Sequence, residues 1–197
     1  MRHIAFLRNV NQGQRGHPST RDILDAFADA GAHDAVAFQA NGTVVFTADD
    51  PQTVVDDAMQ ALAARSGVVR DAFWMPLSDI TAIVEAHAGQ PDAARRELTL
   101  HGGGVLDRAD PQVSRMAAHR RCEIVDAGPG WMVSKNEVDR ESNATPVAEL
   151  VSGTRATSRR LPTLVRLIDR FSQADRATRR IFAIGLPRPS SSTSRSR

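Results

Sequence analysis

The first 76 residues change hydrophobic period in a fixed order, and that order restricts the fold more than any single motif. His3–Arg8 is a short apolar run of strand length. Ser19 with Asp22 three residues later signals a helix start, Ile23, Leu24, Phe27 and Ala30 follow at helical spacing, and Gly31 ends the pattern. Ala35–Phe38 and Thr43–Thr47 are β-rich runs flanking Asn41-Gly42, a hairpin signal. Asp50-Pro51 opens a second helix with Val54, Val55, Ala58, Met59 and Leu62 on one stripe, closed by Ser66-Gly67. Val68–Met75 is expected to be a strand, with Val69, Phe73 and Met75 on one face. The order β-α-β-β-α-β predicts a ferredoxin-like antiparallel sheet with two helices on one face.

A third helix is expected at Leu77–Ala88, and Gly89-Gln90-Pro91 marks a domain boundary. Beyond it the pattern predicts a smaller α+β unit. Its expected elements are a strand at Glu97–His101, a helix at Asp110–Ala118 and a hairpin of Cys122–Ala127 with Trp131–Ser134 around Gly128-Pro129-Gly130. Residues 136–146 read as loop and Val147–Val151 as a short helix. Leu161, Leu164, Val165, Ile168 and Phe171 define an amphipathic helix, and a further short helix is expected over Arg176–Ile184. The expected division is therefore an α+β ferredoxin-like domain at 1–89, a smaller α+β domain at 92–185, and a disordered basic Ser/Arg tail at 186–197. The second unit could be a degenerate copy of the first.

Composition sets the compartment and narrows the partners. Hydrophobic residues are 41% and charged residues 24%, enough for a globular core. No apolar run is long enough to span a membrane, the N-terminus lacks a secretory pattern, and Cys122 is the only cysteine, so a reducing, cytoplasmic setting is expected. Residues 1–150 carry 14 basic and 21 acidic side chains, whereas residues 151–197 carry 11 and 2. An acidic body and a basic end admit polyanion or nucleic-acid binding as one alternative; a solvated basic helix that pairs with the acidic body is the simpler account.

Three stretches resemble a known family. FLRNVNQG at residues 6–13 is similar to the family's FLRGINVGG, FQANGTVVF at 38–46 to YIQSGNVVF, and ATSRRLPTLVRL at 156–167 to ATTRNWNTVLKL. Their order and spacing agree over about residues 1–172, and the chain is identified as a divergent member of the domain-of-unknown-function 1697 family, widespread in bacteria. The resemblance implies a two-part α+β protein with ferredoxin-like topology and no established activity. Arg8, Asn11, Gly13, Gly42 and Arg159 are retained. Asn9, Gln12, Gln14, Ala40, Asn41, Thr43, Arg160 and Leu161 depart from the pattern, so the apolar frame is kept while polar loop positions have changed.

The retained residues are the candidate ligand site. Arg8, Asn11 and Gly13 lie in the loop that ends the first strand, and Arg159 precedes the closing helix. Arginine offers a bidentate fork to phosphate or carboxylate, glycine permits close backbone approach, and a helix N-terminus favours an anion. The expected function is an anion-binding or small-ligand module without established catalysis. The alternative at Arg8 is a plain ion pair with a nearby carboxylate. Weak nucleic-acid binding through the Arg-rich end and a structural or homodimeric role through an exposed sheet face are the other two readings.

Other chemistries lack their parts. Thr43–Thr47 carries no paired aromatics for RNA stacking, and there is no Walker A ending. His101-Gly102-Gly103-Gly104 resembles an esterase oxyanion loop, but no Gly-x-Ser-x-Gly elbow accompanies it. Cys122 lies in an apolar strand and is expected to be a buried small hydrophobe. His3, His17, His33, His87, His101 and His119 form no ligand-spaced pair, so neither metal nor cofactor is expected.

Overall fold

The computed structural model describes residues 1–171. The first unit runs β1 (Arg2–Leu7), α1 (Thr20–Asp29), β2 (Val36–Phe38), β3 (Thr43–Thr47), α2 (Pro51–Ser66) and β4 (Ala72–Pro76). Its strands form an antiparallel sheet in the order β2-β3-β1-β4, with Ile4 between Val45 and Met75. The Ser19–Asp22 capping box forms as expected, and Asp50 caps α2 ahead of Pro51. The fourth strand is shorter than the apolar run suggested. β1 ends at Leu7 opposite Ala72, so Val68 and Val69 lie outside the ladder and are 45% and 87% exposed.

The second unit repeats that element order: β5 (Arg96–His101), α4 (Pro111–His119), β6 (Cys122–Gly128), β7 (Trp131–Asn136), α5 (Ala144–Ser152) and β8 (Ala156–Arg160). Its antiparallel sheet has the order β6-β7-β5-β8, four strands like the first. β8 is absent from the sequence reading. Its residues Ala-Thr-Ser-Arg-Arg show no apolar alternation, because the inward positions are Thr157 and a buried Arg159. α5 starts at Ala144, three residues before the expected short helix, and ends at Gly153 with φ +67°.

The two sheets share one core. Ala5, Leu7, Val44 and Phe46 face α1 and α2, burying Ile23, Phe27, Val55 and Leu62. Ile4, Phe6 and Val45 on the opposite face meet Leu98, Leu100 and Val133 of the second sheet. α3 (Leu77–Ala88) and α6 (161–171) join the same cluster through Ile80, Ile83, Val84, Leu161, Leu164 and Phe171. Each such side chain contributes roughly 1.5–3 kcal/mol on burial. α3 reaches the second sheet, where His87 Nε2 lies 3.1 Å from Asp126, and α6 reaches the first, with Phe171 under the Arg2 guanidinium. The sheet face that could have met a partner is therefore filled from within the chain. No helix among the described residues is long and apolar enough to cross a membrane. The expected helix at Arg176–Ile184 and the basic tail lie outside the described residues.

Candidate functional site

Arg159 is the tie between the two units at the site. It projects from β8, the edge strand of the second sheet, and is 7% exposed. Its Nε donates to Thr43 Oγ1 at 2.8 Å and Nη1 to Thr157 Oγ1 at 3.0 Å and the Ser158 carbonyl at 2.8 Å. Nη2 donates to the carbonyls of Leu7, Asn41 and Gly42 at 3.0, 2.7 and 3.2 Å. The guanidinium lies 4.8 Å from the Phe6 ring centroid. Burial pushes Arg159 down to about 9. Six oxygen acceptors and the ring face favour the charged form, so it is a cation at neutral pH. No carboxylate within ion-pair distance offsets it among the described residues.

Arg8 goes elsewhere. Its Nε donates to Glu149 Oε1 at 3.0 Å and the Ala156 carbonyl at 3.2 Å, and Nη2 lies 2.8 Å from the same carboxylate oxygen. The two arginines thus serve different partners. Gly42 has φ +70°, and a Cβ there would stand 2.7 Å from Val10 Cβ, so this glycine is required by the packing of the hairpin on the loop. Gly13 has φ +90° with open space around it. The Asn11 N–H donates to His17 Nδ1 at 3.0 Å, which leaves the proton of neutral His17 on Nε2.

A cleft of about 500 Å³ opens between the β1–α1 loop and the start of α6. Asn9, Asn11, His17, Asn41, Arg159 and Arg160 form much of its wall, with Thr163 in the first turn of α6. Glu97 and Ser142 stand at its far side. Glu97 is 2% exposed, and burial pushes its carboxyl up while the Ser142 hydroxyl donates to it at 2.9 and 3.2 Å. Arg160 donates to the Ala94 carbonyl at 2.9 Å and to Asp139 at 3.1 Å. Of the five residues expected to form the site, Asn11 and Arg159 line this cleft, whereas Arg8, Gly13 and Gly42 do not. His17, Glu97 and Ser142 escaped the sequence reading. The one available signal was Glu97, a carboxylate at the start of a stretch that reads as a strand.

A family model described as a protein of unknown function (DUF1697) matches residues 1–118, more than half of the chain. The chain belongs to that family. Its fold is also that of a solved structure, the conserved bacterial protein SP0830 from Streptococcus pneumoniae. That match has a TM-score of 0.52 and 12% identity, and covers 85% of this chain and 98% of the other. Such low identity shows the fold alone. No curated protein matches the chain.

Proposed function

We propose that this protein binds a small anionic ligand in the cleft between the β1–α1 loop and α6. The observation that carries the reading is Arg159, a buried cation without a carboxylate partner in the wall of an open cleft. Its own donors are occupied, so it acts on a ligand through charge, and direct contacts come from its neighbours. His17 Nε2–H, the amides of Asn9, Asn11 and Asn41, and the first turn of α6 supply donors. Arg8, held by Glu149, and Gly42, packed on Val10, shape the wall without touching the ligand. The scaffold is proposed to be two ferredoxin-like units, on the support of their common element order and common strand order.

Thermal-shift and calorimetric titrations with phosphate, citrate and adenosine monophosphate test the reading. At least one should stabilise the protein saturably, with the response lost in a His17→Ala/Arg160→Ala variant and kept in Arg8→Ala. A response that survives in the double variant would refute the assignment.

A further inference from the structure

A second and larger cleft, of about 750 Å³, lies between α4 and β6. It falls within the range of about 300–1,000 Å³ usual for small-molecule sites. The repeated architecture explains its origin. Counting from the helix caps, Ser19 and Asp110, the fully buried Ile23 and Phe27 of α1 correspond to Ser114 and Ala118 of α4. Ala26 and Ala117 correspond too, and both are buried. On the sheet, Phe46 lies opposite His3 in the first unit, and Ser134 lies opposite Glu97 at the matching place in the second. In the first unit the Phe27 and Phe46 rings pack with centroids 5.3 Å apart. In the second unit the three bulky side chains are absent, and Ser114 and Ala118 line the opening they leave, with Val113, Cys122 and Ile124 as apolar neighbours.

The rim is charged in a specific way. Lys135 is taken by Glu123 at 2.5 Å. Arg95 donates to the Glu137 carbonyl at 2.8 Å and Arg108 to the Val125 carbonyl, and neither is ion-paired with a carboxylate among the described residues. Both guanidinium groups are therefore held at the rim with charge to spare; the carboxylates that line the cleft are Glu123, which is paired with Lys135, and Glu137. We infer that the α4–β6 cleft is a binding site for a small organic carboxylate with an apolar body. The body takes the space that Ile23 and Phe27 fill in the first unit, and the carboxylate meets Arg108 and Arg95 at the rim.

Phenylacetate and its uncharged amide, phenylacetamide, are the probes. Titrating phenylacetate into the isotope-labelled full chain should give saturable NMR shifts centred on α4 and β6, with phenylacetamide binding about tenfold more weakly. R108Q, at the exposed rim, should lower phenylacetate affinity about tenfold and leave phenylacetamide unchanged. S114I/A118F should abolish binding of both and raise the unfolding midpoint by filling the space. H17A, in the other cleft, should change nothing here, which separates this site from the anion cleft. The inference is overturned if α4 and β6 show no saturable shifts, if acid and amide bind alike, or if R108Q or S114I/A118F binds phenylacetate as the parent does.

Discussion

Arg159 Nε donates to the Thr43 hydroxyl at 2.8 Å although 116 residues separate them in the chain. The same guanidinium binds the carbonyls of Leu7, Asn41 and Gly42. One side chain of the second sheet thereby satisfies the end of β1 and the β2–β3 turn of the first. Arg159→Ala removes the guanidinium donor from all three carbonyls, although that of Gly42 keeps the Leu7 N–H at 2.8 Å, and is expected to cost about 3 kcal/mol or more. Arg159→Lys should recover less than half, because an ammonium cannot reproduce the planar fork. Urea unfolding of the three proteins checks both.

Gly42 and Gly13 separate two roles of glycine. At Gly42 a Cβ would meet Val10 Cβ at 2.7 Å and Leu7 Cβ at 3.0 Å, on a backbone with φ +70°. Gly42→Ala should destabilise by about 2 kcal/mol or more, from strain and overpacking together. Gly13 has the same kind of backbone, φ +90°, but nothing near it. Gly13→Ala should cost about 1 kcal/mol, from conformation alone. Thermal unfolding orders the two variants.

The Arg8–Glu149 pair is partly exposed, with side-chain exposures of 19% and 27%. A double-mutant cycle with Arg8→Ala and Glu149→Ala should return a coupling of about 1 kcal/mol. The coupling should fall in high salt by less than a surface pair would.

Burial holds the Glu97 carboxyl above its ordinary value of 4.5. As pH rises past that value, the unfolded chain ionises while folded Glu97 keeps its proton. The folded state then binds more protons, and stability falls with rising pH until the folded group also ionises. Glu97→Gln removes that slope and keeps an acceptor for Ser142. The variant should match the parent at about pH 4 and exceed it at about pH 7 in urea midpoint. Equal pH dependence in both proteins would contradict the assignment.

The sequence by itself determined the local elements. Ser19 and Asp22, Asp50-Pro51, and the stripe from Leu161 to Phe171 encode their helices through capping and period, interactions within a few residues. Asn41-Gly42 likewise marked the β2–β3 turn, and Arg159 was legible as a family motif. Tertiary structure decided what those residues do. β8 could not be read from Ala156–Arg160, because it is a strand only through pairing with β5 and carries a buried arginine where a strand pattern shows an apolar residue. Arg8 and Arg159 looked like two halves of one anion site, yet Glu149 claims Arg8 from 141 residues away. Which carboxylate reaches which guanidinium, and whether a sheet face meets solvent or a second sheet, depends on contacts far apart in the chain. Local periodicity carries no information about either.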